Sequence, residues 1–248
     1  MKALRKFVHN TLQKLDYKIS KIPTKSNSLS TKLAEGYPTW LSEAQEAGMD
    51  VNDYITFKYG AHNDLEKILY PYLINLSNPI ICELGIGTGR YSREIAEKLS
   101  EHENWSLYLV DHSPWIIDFN ERYFKSNKNI FPLLNDGRTL PFQENDFIDI
   151  IFSNGTFIEL NLREIYSYCR EFRRVLKKNG YVMFNFIDIN SPEAWEFLEK
   201  ESKVKHSCFT YHSFETINEI LVQSSFEFIN RLQVGPSLFV FYRKIENK

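Results

Sequence analysis

Cysteine is scarce in this chain. Only Cys82, Cys169 and Cys208 occur among 248 residues, and no two stand at the spacing of a zinc site or a disulfide framework. That scarcity excludes a disulfide scaffold and points to a reducing compartment. Long apolar runs are missing too: none reaches the length of a membrane span, and no hydrophobic signal segment follows the N-terminus, so the expected location is cytoplasmic. Charge of one sign is not in excess either. A formal net charge of −2 argues against a general nucleic-acid binder, whose surface is normally basic, and no nucleic-acid partner is expected. No cluster of carboxylates suggests a metal site, and none is expected. The length accommodates one sizeable core with an extension.

What the chain does have is a glycine-rich turn. Ile80-Ile81-Cys82-Glu83-Leu84-Gly85-Ile86-Gly87-Thr88-Gly89-Arg90-Tyr91 passes from a short apolar run through three alternating glycines into an amphipathic segment. This reads as a buried parallel strand near 79–84, a tight turn, and a helix over about 91–99. Glycines reach backbone angles closed to other residues and let a ligand lie against bare main chain. The helix start behind them offers free N–H groups and a positive dipole end. A dinucleotide fingerprint needs its third glycine at position 90, which is Arg90. Gly89 makes the pattern G-x-G-x-G instead, with Glu83 two residues ahead of it.

That pattern resembles motif I of the class I S-adenosylmethionine (SAM) dependent methyltransferases, and further segments resemble the same family in the same order. Trp105–Asp111 reads as a second strand ending on an acid, whose two oxygens can accept both ribose hydroxyls. His112-Ser113-Pro114-Trp115 opens a helix with Ser113 as N-cap and Pro114 at its first position. A third strand, Ile130–Leu134, runs into Asn135-Asp136-Gly137. Leu140-Pro141-Phe142, followed by Phe147-Ile148-Asp149-Ile150-Ile151 and ending at Ser153-Asn154, is similar to the large "type 11" subfamily. Arg173-Arg174-Val175-Leu176-Lys177-Lys178-Asn179-Gly180 is similar to its R-V-L-K-P-G-G, with Asn179 suited to a left-handed helix cap, before a fifth strand at Tyr181–Phe186.

The resemblance implies a Rossmann-like α/β fold: a seven-stranded, mostly parallel sheet with one antiparallel strand, helices on both faces, and an N-terminal helical extension. It implies SAM as cofactor. Glu83 would hold the methionine end, with Gly85, Gly87 and Gly89 admitting it to the backbone. Asp111 would take the ribose, Trp115 would pack on adenine, and Asp136 would accept from the adenine amino group beside Gly137. His112 and Asn154, at the ends of the second and fourth strands, join the cofactor set.

The ends bear on the acceptor. Residues 1–32 carry eight basic residues against the single acid Asp16, with Leu4, Val8, Leu12, Leu15, Ile19 and Ile22 at helical spacing. Such a helix over 1–22 suits an anionic membrane surface or packs on protein. A Ser/Lys/Asn-rich linker follows at 24–31. Residues 1–60 are thus expected to form a basic helix, linker and cap, and 61–248 the methyltransferase domain. Within the approach to the first strand, 41–47 reads as helical, and Tyr54–His62 leads into a helix over 63–73. Tyr59 and His62 are candidates to touch a ligand. Beyond the fifth strand, Ser191-Pro192 caps a helix near 192–202 that can roof the site, Ser213 caps another, and Gly235-Pro236 separates two alternating strands.

Methyl transfer is an in-line displacement, so the protein supplies positioning and removal of the acceptor proton. Candidate bases are His212 and Glu159, with His62 and His206 behind them. Asn154-Gly155-Thr156-Phe157 is not the Asn/Asp-Pro-Pro-aromatic of DNA-base methylation. Three readings stand open: O-methylation of a sugar or glycan intermediate at the inner membrane through residues 1–22, methylation of a small molecule at N or O, and a non-catalytic SAM-binding subunit.

Overall fold

The computed structural model describes residues 39–59, 65–204 and 207–246. The basic segment 1–22, the linker 24–31, and His62 and His206 lie outside the described residues, as does the side chain of Tyr59.

β1 (Ile80–Leu84) is buried on both faces, which explains its unbroken apolar character around Glu83. Around it the sheet runs in the order β3-β2-β1-β4-β5-β8-β7. Here β2 is Ser106–Asp111, β3 Ile130–Leu134, β4 Ile148–Ser153, β5 Leu176–Asp188, β7 Phe226–Val234 and β8 Ser237–Lys244. β1 through β5 pair in parallel, and β8 enters antiparallel between β5 and β7. These are the seven strands expected. An eighth, β6 (Tyr211–His212), adds two residues on the end of β5 at Ile187 and Asp188.

Helices cover both faces. Leu162–Val175 and Phe214–Gln223 pack Phe172, Cys169 and Leu221 against one side. Arg90–Leu99, Pro114–Tyr123 and the turns at 65–73 pack Ile95, Ile117 and Leu69 against the other. The chain crosses over between β2 and β4 on either side of β1, so the carboxyl ends of β1 and β4 flank a crevice at the topological switch point. Asp149 in the Phe147–Ile151 segment fastens this region. Its Oδ2 accepts from the Ile80 amide at 2.9 Å and its Oδ1 from Lys177 Nζ at 2.7 Å.

The local structure departs from expectation in three places. The 63–73 helix is two single turns, Leu65–Ile68 and Tyr70–Leu73. Pro71 cannot donate to the carbonyl one turn back and its ring crowds that carbonyl, so the helix breaks ahead of it. Residues 51–59, not read as helical, form a helix (Val51–Tyr59) because Asp50 Oδ1 accepts the Asn52 amide at 2.8 Å and Val51 and Ile55 bury one face. Finally, β5 begins directly at the helix end. Leu176 pairs with Ile148 and Tyr181 with Ile150, leaving 177–180 as a bulge. Asn179 takes the left-handed φ of 62° within that bulge and not as a helix cap. A Cβ on Gly180 would lie 2.9 Å from the carbonyl oxygens of both Asp149 and Lys177.

Candidate functional site

The turn after β1 is shaped by crowding. At Gly85 φ is +76°, and a Cβ there would lie 1.7 Å from Thr156 Oγ1. Thr156 is held close because its hydroxyl and that of Ser153 both donate to the Leu84 carbonyl, at 3.2 and 2.7 Å. The loop after β4 is thereby pinned to the end of β1. Gly89 caps the Arg90–Leu99 helix at φ +78°, and a Cβ would strike Asn120 Oδ1 at 2.4 Å. From above, the fully buried Asn52 clamps Thr88: its Nδ2 donates to the Thr88 carbonyl at 3.0 Å and its Oδ1 accepts from the Thr88 hydroxyl at 2.6 Å.

Around this turn lies a cleft of about 460 Å³, within the roughly 300–1,000 Å³ usual for small-molecule sites. Its floor is Gly85 to Thr88 with Arg90 and Tyr91. Asp111, His112, Ser113 and Ile116 form one wall; Asn154 to Thr156, Ile158 and Glu159 form the facing one; Trp40, Ile55 and Phe209 close over it. Of the residues expected at the site, Gly85, Gly87, Asp111, His112, Asn154 and Glu159 come together here.

Asp111 is buried, with Oδ2 accepting from the Ile86 amide at 3.2 Å and Oδ1 from Ser113 at 2.9 Å. Burial raises its carboxyl above the ordinary range, against these bonds, the nearby His112 and a further bond from the Gly87 amide. Ser113 caps its helix by position but makes no side-chain cap bond. Glu159 faces the same space. Burial, with the Asp111 charge behind it, pushes its carboxyl up to about 7.

Other expected residues do not line the cleft. Glu83 lies beneath the turn, accepting from Ser92 Oγ at 2.6 Å, and burial pushes it up to about 8. Gly89 serves helix packing, as above. Trp115 stacks on Phe119 at 5.8 Å, and Ile116 faces the cleft instead, since one residue turns a helix by about 100°. Asp136 Oδ1 is engaged by the amides of Arg138 and Thr139 at 2.9 and 2.7 Å and by the Thr139 hydroxyl at 3.0 Å. This is an Asx turn; the bonds hold the carboxyl below its usual range although burial pulls it up. Gly137, at φ +76°, sits behind His112.

His212 is also outside the cleft. It is buried on β6 with Nε2 2.9 Å from the Leu160 carbonyl and 3.1 Å from Thr210 Oγ1. A carbonyl only accepts, so Nε2 carries the proton. Burial lowers the imidazole pKa, with the Leu160 bond opposing. Thr210 adds its amide to the Ile158 carbonyl at 2.7 Å and its hydroxyl to the Leu160 carbonyl at 2.9 Å. His212 and Thr210 together fasten the loop that carries Glu159.

Several cleft residues carried no pattern of their own in the sequence. Trp40, Ile55 and Phe209 arrive from helices and loops distant in the chain, and Arg90 and Tyr91 stand inside the motif but without an assigned part. Trp40 and Ile55, from the segment before β1, line the cleft. Past β5, Ser191 caps the Pro192–Glu201 helix by accepting from Ala194 at 3.1 Å, and Phe197 of that helix packs on Phe209 at 5.1 Å. Among the described residues no group of three or more His, Cys, Asp or Glu could hold a metal ion, and no helix is long and apolar enough to cross a membrane.

The sheet order, the glycine turn at β1 and the buried acid closing β2 define a nucleoside-cofactor α/β domain. Residues 81–180 match the family model described as "Methyltransferase domain", and the chain carries a SAM-dependent methyltransferase domain. It is similar to phosphoethanolamine N-methyltransferase 3 of Arabidopsis thaliana, 29% identical over 128 residues that cover 49% of this chain and 25% of that protein. The chain thus spans about a quarter of the length of the curated relatives it matches. Among solved structures it is similar to a SAM-dependent methyltransferase from Methanosarcina mazei, with TM-score 0.57 and 17% identity, covering 73% of this chain and all of the other. It is also similar to magnesium protoporphyrin IX methyltransferase from Synechocystis with bound SAH, with TM-score 0.57 and 13% identity, covering 70% and 79%. These structural likenesses concern the fold.

Proposed function

We propose that the chain transfers the methyl group of SAM to a small-molecule amine, with Glu159 as the proton acceptor. The observation that carries this reading is a half-buried carboxyl pushed up to about 7 on the wall of the cleft. A group with that pKa takes a proton readily near neutral pH yet is charged often enough to attract an ammonium. Aromatic rings at Trp40, Tyr91 and Phe209 line the same space and suit a cation. The N-methyltransferase relatives support an amine over a hydroxyl.

The residues present fit SAM. Gly85 leaves main chain bare where a side chain would collide with Thr156, and Asp111 places its carboxylate at the cleft wall, where it could accept from ribose hydroxyls. His112 and Asn154, which line the cleft, would border the nucleoside, and Glu83 accepts from Ser92 in the helix that follows the turn. When bound, SAM supplies an electrophilic methyl carbon on a sulfonium. Glu159 removes the ammonium proton and holds it, while the Trp40, Ile55 and Phe209 cover excludes water.

O-methylation of a sugar or glycan at a membrane rests on residues 1–22, and no feature of the cleft favours it. The test is methyl transfer from labelled SAM to a panel of small amines, amino alcohols and envelope glycans. Label is expected in an amine, and Glu159→Gln is expected to lower kcat/KM by about 10²–10⁴-fold with SAM affinity retained. Label confined to glycans, or an undiminished Glu159→Gln, refutes the proposal.

A further inference from the structure

Within β5 the stretch Val182-Met183-Phe184-Asn185-Phe186-Ile187 carries one polar residue. Asn185 is 4% exposed, with Met183, Phe184 and Phe186 fully buried beside it. A carboxamide in such a place is unfavourable unless it is hydrogen-bonded, and asparagine is a poor strand former. Its bond leaves the strand: Oδ1 accepts from the Gly155 amide at 2.7 Å, on the loop after β4. Gly155 stands at φ +83°, yet a Cβ there would meet nothing within 4 Å. Glycine is needed at this position for its backbone angle and not for space.

Neighbouring groups complete the anchorage. Thr156 Oγ1 donates to the Leu84 carbonyl at 3.2 Å, and the Glu159 amide donates to the Thr156 carbonyl at 3.1 Å. On the far side Thr210 and His212 hold the carbonyls of Ile158 and Leu160. Glu159 is thus suspended between two fixed points, and Asn185 sets one of them from β5. Asn185 itself is not among the residues lining the cleft.

We propose that Asn185 is a positioning residue for proton removal, placing the Glu159 carboxylate in the cleft through the Gly155 amide and the 156–159 turn. The inference rests on Glu159 as the proton acceptor. Without the Asn185 oxygen the Gly155 amide loses its partner, the left-handed turn relaxes, and Glu159 shifts with it. A displacement of about 1 Å at a reacting group costs roughly 10²-fold in rate.

The test uses the amine that takes label from SAM in the panel above, with thermal melts to confirm that each variant folds. Asn185→Leu and Asn185→Ala both remove the accepting oxygen, one at similar volume and one by truncation. Each is expected to lower kcat by about 10- to 100-fold while the affinity for S-adenosylhomocysteine stays within about twofold. Asn185→Asp keeps an accepting oxygen and recovers most of the rate. In the Glu159→Gln background, where the base is already gone, Asn185→Leu should change kcat by no more than about twofold. An Asn185→Leu loss of the same size with and without Glu159, or an equal loss of S-adenosylhomocysteine affinity, overturns the proposal. An undiminished Glu159→Gln, or no label in any amine, overturns the amine reading and this inference with it.

Discussion

Replacing Gly85 by alanine tests the account of the cleft floor. The added Cβ would meet Thr156 Oγ1 at 1.7 Å, Cβ at 2.9 Å and Cγ2 at 3.1 Å, with the backbone at φ +76°. Left-handed φ costs a residue with a Cβ roughly 1–2 kcal/mol. Forcing Thr156 aside adds about 1–3 kcal/mol of overpacking and breaks its 3.2 Å bond to the Leu84 carbonyl. Together these place Gly85→Ala about 3 kcal/mol below wild type in stability, a fall in Tm of roughly 6–12 °C for a chain this long. The second variant separates the two causes. Thr156→Gly removes every atom in the clash, so Gly85→Ala/Thr156→Gly should recover the steric share relative to Thr156→Gly alone and leave about 1–2 kcal/mol for the backbone. Chemical denaturation of the four proteins closes the cycle. Strictly additive single effects would refute the contact between the β1 turn and the β4 loop.

Other outcomes follow from the same geometry. Because Glu159 titrates near 7 in the free protein, kcat/KM should rise with pH through about that value and then level, and Glu159→Gln should lose this limb. A bound sulfonium favours the carboxylate, so the corresponding limb in kcat should lie at lower pH; coincident limbs would argue against Glu159 facing the cofactor. By linkage, SAM binding near pH 7 should release protons, read as a dependence of the calorimetric enthalpy on buffer ionisation. No buffer dependence would separate the raised carboxyls from the cofactor. Asn52→Ala leaves the Thr88 groups unpaired in a buried site and should cost about 1–3 kcal/mol in unfolding free energy. It should also weaken SAM; unchanged SAM affinity would detach the Val51–Tyr59 helix from the binding turn.

The parts legible in the sequence are those fixed by local backbone demands. β1, β2, β3 and β4 were readable as apolar runs ending in acid or polar residues, and the Gly85–Gly89 turn announced itself because few residues reach its φ values. The break at Pro71 was readable in principle, since it needs only the missing N–H and the ring clash. Side-chain direction was not. Trp115 was expected in the cleft by type, but Pro114 starts the helix so that Ile116 turns inward. Asp136 had the right chemistry and position for a base contact, yet the amides two and three residues on take one of its oxygens. Trp40 and Ile55 reach the cleft through contacts between distant segments, among them the Asn52–Thr88 clamp, the Arg93 pairs with Asp50 and Asp53, and the packing of their helices.

The two candidate bases illustrate how environment divides labour between residues that look equivalent in the sequence. A histidine has the more suitable ordinary pKa, but His212 spends its Nε2 proton on the Leu160 carbonyl, and burial lowers its pKa further. Drawing it into the cleft would cost that bond and unfasten the 158–160 loop. Glu159 begins with a pKa too low for the task, and the same fastened loop holds it where burial raises it to about 7. On the proposed function, His212 contributes by fastening the loop that keeps Glu159 where burial raises its pKa. A substitution at His212 that keeps the Leu160 bond, such as His212→Asn, should preserve the pH limb. His212→Phe should shift it toward an ordinary carboxylate as the loop opens to water. If His212→Phe instead lowers turnover by more than about 10²-fold while leaving the pH limb of the remaining activity unmoved, the assignment of the proton to Glu159 is wrong.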